Sequence, residues 1–242
     1  LTAEYAAYLL YSADSERDLY AVEELQGFFE SEEYATFRAP RARRLAEPPV
    51  QVHHDALELR VLGKNGLPVA AYTVGSAEIS EEHERGNVVD LRVSGYLWDT
   101  PCPGTDAVWS AWRTSSGDER NIWAGLPEEG REAWLDAARL RAVWRFPIPP
   151  PPSPSDSFRL DGSHVTDHSG LYCALGEALN GPGGYYGSTL DALKDCLRGN
   201  FGPVAPFTLV WHDSATARTH IPEYMDEVVR TLRSAGVTTL LT

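Results

Sequence analysis

The run Pro147-Ile148-Pro149-Pro150-Pro151-Pro152-Ser153-Pro154-Ser155 sits past the middle of the chain and constrains everything around it. Successive prolines fix φ, remove backbone donors and favour an extended polyproline helix that cannot join a sheet or a helix interior. Such a segment acts as a semi-rigid spacer between folded units. The same composition also suits ligands of SH3 and WW domains. Read as a spacer, it divides the chain into a first domain over 1–146, a linker over 147–155 and a second domain over 156–242. A length of 242 residues accommodates two domains of about 100–150 residues at most.

Hydrophobic residues at 43% and charged residues at 23% describe a chain that builds cores rather than staying disordered. A net charge of -14 argues against gripping nucleic acid by its phosphates, which takes Lys and Arg. It favours a basic protein partner, whose approach an acidic surface accelerates, or it serves solubility alone. Three cysteines, Cys102, Cys173 and Cys196, cannot all pair, and their spacing fits no zinc pattern. Free thiols point to a reducing compartment, so the expected location is cytoplasmic, with neither metal nor cofactor. No run of about 20 apolar residues could span a bilayer, and the first residues lack a basic-then-apolar signal pattern, so no membrane association is expected.

The first domain reads as mixed α+β and rich in strands. Tyr5 to Tyr11 suits a strand. Val50 to Leu62 alternates through Val52, Leu57, Leu59 and Val61, and Lys64-Asn65-Gly66 marks a turn before Val69 to Val74. Asn-Gly between apolar runs is a strong hairpin signal. Val88 to Trp98 continues the alternation, and Trp134, Leu135, Ala138 and Val143 give Pro127 to Trp144 one apolar helical face. An antiparallel sheet with one or two flanking helices is expected. His53-His54-Asp55 sets two imidazoles beside a carboxylate, but neighbours on a strand face opposite ways and would not share a metal. Trp98, Trp109, Trp112 and Trp123 could line a cleft or fill a core. Neither a phosphate-cradling glycine loop nor a Gly-x-Ser-x-Gly elbow is present, and no catalytic residue is assigned.

The second domain alternates strands and helices. Phe158-Arg159-Leu160 opens a strand that ends at Asp161-Gly162. Leu171, Leu175, Ala178 and Leu179 recur at helical spacing until Asn180-Gly181-Pro182-Gly183-Gly184 stops them. A second helix starts near Thr189 with Leu190, Leu193 and Leu197 as its stripe. Phe207 to Trp211 suits a central strand, Ile221 to Ser234 a third helix, and Val237 to Leu241 a last strand. The order β-α-α-β-α-β implies an α/β fold, a three-stranded parallel sheet packed with helices.

Asp191 and Asp195 stand four residues apart, on one face of the second helix and opposite the leucine stripe. Asp191 in the first turn suits the helix dipole and could complete a capping box with Ser188. Asp195 lies a turn further on, where Lys194 and Arg198 could shield it. Both aspartates together have a second explanation. The stretch Gly184-Tyr185-Tyr186-Gly187-Ser188-Thr189-Leu190-Asp191-Ala192-Leu193-Lys194-Asp195-Cys196-Leu197 resembles the barstar family, intracellular inhibitors of barnase. Asp161-Gly162, the 171/175 leucine pair, Trp211 and Arg233-Ser234-Ala235-Gly236 fit at the same spacing, so the likeness covers the second domain and none of the first.

The resemblance implies a non-enzymatic inhibitor that binds a secreted, guanyl-specific microbial ribonuclease of the barnase or RNase Sa kind at about one to one. It implies that Asp195 occupies the position of the substrate phosphate and that Asp191 meets neighbouring basic groups. Tyr185 and Gly187 fall on the loop against the enzyme's rim, and Thr189, Leu190, Lys194, Arg198 and Gly199 complete the implied binding set. Three positions depart from the family prototype. Lys194 replaces a tryptophan, Arg198 a threonine, and Thr231 an acidic residue on the third helix. Added positive charge beside the aspartates implies an enzyme with a less basic rim. A barstar-like fold that has lost its target and serves as a regulatory module is the other reading of these changes.

Overall fold

The computed structural model describes residues 6–46, 52–114, 119–145, 156–199 and 201–242. The proline segment 147–155 lies outside them, as does the expected strand start at Tyr5. Packing divides the chain into two compact units, Leu1–Thr114 and Ser115–Thr242, a division that falls well before the proline segment.

In the first unit, β1 (Tyr8–Ser12), β2 (Arg17–Val22), β3 (Tyr34–Arg44), β4 (His53–Leu62), β5 (Pro68–Arg85) and β6 (Val88–Leu97) precede α1 (Thr105–Thr114). The strands close into a barrel in the order β1-β2-β3-β6-β5-β4. The expected antiparallel sheet closes on itself, because β1 pairs antiparallel with β2 on one side and β4 on the other. Closure removes the unpaired edges that an open sheet leaves exposed. The Asn65-Gly66 turn joins β4 to β5 as the sequence indicates, with Leu62 opposite Pro68.

Strand β2 was not anticipated, nor was β3, in which Ala35, Phe37 and Ala39 alternate toward the core until a bulge with Arg41 at φ +52° makes Ala42 the next inward residue. Its inward positions are mostly alanine, and Pro40 and four arginines disguise the pattern. The acidic stretch Glu78 to Glu84 is a continuation of β5, held by cross-strand charge. Arg44 is buried and gives two hydrogen bonds to Glu81 (2.9 and 2.6 Å) and one to Glu84 (3.0 Å). Inside the barrel, Phe28 packs edge-on against Phe37 and Tyr72, with centroids 5.0 and 5.2 Å away. From α1, Trp109 donates its indole N–H to the Tyr72 hydroxyl (3.1 Å).

The second unit opens with a 3-10 turn, Ile122–Gly125, and α2 (Glu128–Trp144). There follow β7 (Ser157–Asp161), α3 (His168–Asn180), α4 (Leu190–Arg198), β8 (Thr208–His212), α5 (Ser214–His220), α6 (Pro222–Ser234) and β9 (Thr238–Leu241). The sheet is parallel throughout in the order β7-β8-β9. The short α5 is an addition to the expected order, and α2 packs here, against α3. Among the described residues no helix is long and apolar enough to cross a membrane.

Helix α3 is apolar on every side. Ser169 through Glu177 are all buried, so it needs cover from two directions. The sheet supplies one through β7, and α2 with the 3-10 turn supplies the other. Asp167 caps α3 by accepting from Gly170 N (2.6 Å) and also pairs with Arg131 of α2. Glu177 is buried and accepts from the backbone N–H groups of Asn121 (2.9 Å) and, more weakly, Gly183 (3.4 Å).

Burial raises the Glu177 carboxyl above its ordinary value, against the pull of those donors. A carboxyl raised in the fold binds its proton more tightly there than in the unfolded chain. The stability it contributes is full below the ordinary carboxylate range and is lost as pH rises through the raised value. The difference in Tm between Glu177→Gln and the wild type should therefore grow in the variant's favour from about pH 4 to about pH 8. A difference independent of pH in thermal scans would refute this assignment.

Candidate partner-binding face

The loop from α3 to α4 is built before the helix it presents. Asn180 donates from Nδ2 to the carbonyls of Tyr185 and Phe201, both at 2.7 Å. Tyr185 is 5% exposed. Its ring meets Phe201 at a centroid distance of 5.4 Å, and its hydroxyl lies 3.5 Å from Ser188 Oγ. Tyr186 is fully buried and donates to the Pro203 carbonyl.

Gly187 follows at φ +99°, where a Cβ would stand 2.9 Å from Leu193 N and 3.0 Å from its Cα. Both the left-handed backbone and the close approach require glycine. The loop is thereby pressed onto the first turn of α4. At the next step Thr189, not Ser188, caps the helix, its hydroxyl accepting from Ala192 N at 3.2 Å. The cap is thus one residue later than expected. Since Ala192 has no polar side chain to return the bond, the capping box from Ser188 to Asp191 does not form and Asp191 stands outside the cap.

Helix α4 turns Leu193, Cys196 and Leu197 inward and leaves Leu190 half-buried. Burial pushes the Cys196 thiol up to about 12, assisted by Asp195, so it is a packing group and not a reactive one at neutral pH. The outer face carries Asp191 and Asp195, with side chains 89% and 71% exposed. Each holds a cation three residues on. Lys194 Nζ lies 2.8 Å from Asp191 Oδ1, and Arg198 Nη1 lies 2.9 Å from Asp195 Oδ1. The Lys194 hydrogen bond and charge hold the Asp191 carboxyl below its usual range. Shielding expected at Asp195 alone is therefore shared between the two aspartates. Exposed pairs of this kind contribute little to stability and exchange readily for a better partner. Gly199 ends the helix at φ +126°, donating to the Cys196 carbonyl (3.0 Å).

The sequence-derived set therefore splits by burial. Asp191, Lys194, Asp195 and Arg198 lie on the open face of α4; Thr189 caps the helix from an exposed position; Tyr185 and Gly187 are buried under its start. Beside the face runs a groove of about 440 Å³, lined by Lys194, Leu197, Arg198, Thr231, Ser234 and Ala235. The part of α6 in this lining was foreshadowed only by Thr231, because nothing in the sequence reveals that the end of α6 abuts α4.

The histidine pair belongs to the first unit. His54 is buried with Nδ1 3.0 Å from Ser12 Oγ and 3.7 Å from Asp14 Oδ2, and a cavity of about 340 Å³ is lined by both histidines, Asp14, Asp55, Ser76 and Ala77. A nucleophile relay needs hydroxyl and carboxylate on opposite ring nitrogens. Here both face the same one, and Ser12 is buried. Among the described residues no group of three or more His, Cys, Asp or Glu side chains is placed to hold a metal. The four tryptophans divide between the two units, with Trp98, Trp109 and Trp112 in the first and Trp123 in the second. Trp109 and Trp123 are buried, Trp98 is exposed, and Trp112 meets Trp109 edge-on at 5.3 Å.

Residues 156–239 match the family model described as Barstar (barnase inhibitor), and the rest of the chain lies outside that match. No curated protein matches the chain.

Proposed function

We propose that the barstar-like segment is a stoichiometric inhibitor of a small, secreted, guanyl-specific microbial ribonuclease, acting in the cytoplasm of the cell that makes the enzyme. The observation that carries this reading is the pair Asp191 and Asp195, exposed one turn apart on a helix whose preceding loop is held by buried contacts and whose start is capped by Thr189. A ribonuclease must present cationic groups to the phosphate of its substrate. A rigid carboxylate placed there makes charge-assisted bonds without offering a bond to cleave. The second carboxylate takes a neighbouring cation, and the apolar stripe of α4 stays committed to the fold. No cofactor is needed, since nothing is turned over.

The test is a titration of the purified full chain into barnase and into an acidic ribonuclease of the RNase Sa kind, following cleavage of RNA. Activity of at least one enzyme should vanish at about one equivalent, with association slowed as salt screens the attraction. Neither enzyme inhibited at micromolar concentration would overturn the reading. That outcome would favour the alternative, a diverged interaction module, to which the internal pairing of both aspartates with Lys194 and Arg198 lends support.

A further inference from the structure

The outer face of α4 is a double row of charge. Asp191 and Asp195 form one row, Lys194 and Arg198 the other, and each acid is paired with the cation three residues ahead. In the free protein the rows neutralise each other. They cannot both stay satisfied when a cationic enzyme surface arrives. Once the enzyme's basic groups take the aspartates, Lys194 and Arg198 lose their counter-ions at the margin of the same contact. They then face the incoming positive charge with water partly excluded, and such unpaired charges select against a partner.

The groove beside them does not resolve this from within. Its other lining residues are Leu197, Thr231, Ser234 and Ala235, none of them acidic. The Ser234 hydroxyl already donates to the Thr231 carbonyl at 2.8 Å. The lining of the groove combines two cationic residues of α4, the hydroxyl-bearing Thr231 and Ser234 of α6, and the apolar Leu197 and Ala235. That is the chemistry of a seat for a carboxylate.

Building on the inhibitor reading, we propose that the α4/α6 groove receives an acidic side chain from the enzyme, held by Lys194 and Arg198. These two residues are then the specificity determinants of the interface. The cognate enzyme carries a carboxylate on its active-site rim, next to the basic groups that meet Asp191 and Asp195. An enzyme whose rim is uniformly basic is disfavoured.

The experiment measures inhibition constants of the full chain against barnase, as a basic probe, and an acidic ribonuclease of the RNase Sa kind. The wild type should inhibit the acidic enzyme more tightly. Lys194→Glu combined with Arg198→Glu should weaken that inhibition about tenfold or more while strengthening inhibition of barnase. Thr231→Glu, which places a carboxylate in the groove from its own chain, should shift both constants in the same directions by a smaller factor. All these positions are on the surface or half-buried, and unchanged thermal unfolding would confirm that the fold is kept. Shifts of the same sign for both enzymes, or no shift for either, would overturn the groove as a carboxylate seat. Asp195→Ala separates this from failure of the parent reading. If that variant inhibits as well as the wild type, or the wild type inhibits neither enzyme, the inhibitor assignment itself falls and the groove proposal with it.

Discussion

Asp195→Ala should weaken ribonuclease inhibition by about 2–5 kcal/mol, a factor of about 30 to about 5,000 in the inhibition constant, while leaving the fold unchanged. Most of that loss is the cost of leaving the enzyme's cations desolvated with no anion to meet them. In the free protein the aspartate's ion pair with Arg198 is solvent-exposed, so thermal unfolding of the variant should match the wild type. Asp195→Asn should fail nearly as badly as alanine, because the interaction depends on charge and not on shape.

Asp161→Ala is the informative control. That carboxylate accepts from Ser163 Oγ (2.6 Å), Ser163 N (3.0 Å) and Asn121 Nδ2 (2.7 Å). These donors, led by the Ser163 hydroxyl, hold it below its usual range. A depressed carboxyl contributes stability that is present above its ordinary range and lost as pH falls through the depressed value. Removing Asp161 should therefore cost stability at neutral pH and leave inhibition by the folded protein intact. Equal losses of inhibition in the two variants would place the interface elsewhere.

The contrast between these two aspartates shows what the sequence exposes and what it hides. Helix α4 is legible because Leu190, Leu193 and Leu197 recur on one side, which leaves Asp191 and Asp195 nowhere to point but outward. The partner of each aspartate is a choice among residues three and four positions away, and only side-chain geometry assigns Lys194 to one and Arg198 to the other. The cap is hidden for a similar reason. Ser188 and Thr189 are equally suitable hydroxyls, and the left-handed Gly187 pressed on Leu193 brings Thr189 into register.

Long-range pairing is less legible still. Alternation marks β4 and β6 and apolar runs mark β1 and the start of β5, while β2 and β3 carry no such mark. Closure of the barrel rests on β1 meeting β4, a contact between distant segments with no local mark. Strand β3 turns alanines inward, and arginines such as Arg44 find acidic partners only across the sheet. The proline run is conspicuous in sequence, yet the division by packing falls between Thr114 and Ser115. One sign of this was available. A helix as apolar all round as Ser169 to Glu177 cannot be satisfied by a sheet on one side, and the nearest amphipathic partner is α2.

That dependence sets the second large effect expected. A fragment of residues 156–242 should be far less stable than one of residues 115–242, although the family match begins at Asp156. The shorter fragment loses Trp123 and Trp134, both fully buried, and the Ala133, Ala137, Ala138 and Leu140 surface of α2. Removing one buried tryptophan costs about 3–5 kcal/mol, and a whole domain is typically stable by about 5–15 kcal/mol. Losing two such anchors is thus comparable with the entire margin. It also strips Asp167 of Arg131, and Glu177 of the Asn121 donor. The fragment should show no cooperative thermal transition, or one shifted far down, and should bind a hydrophobic dye through the bared side of α3. Trp134→Ala in the longer fragment should lower Tm in the same direction without unfolding it. The damage would reach the candidate binding face, because α3 carries the Asn180 side chain that holds Tyr185 and the backbone of Gly176 that packs on Gly184. Without that support the loop no longer fixes the start of α4, and the two aspartates lose the rigidity on which their advantage over a flexible acidic peptide depends. Equal Tm values for the two fragments would show instead that the sheet and α6 alone hold α3 in place.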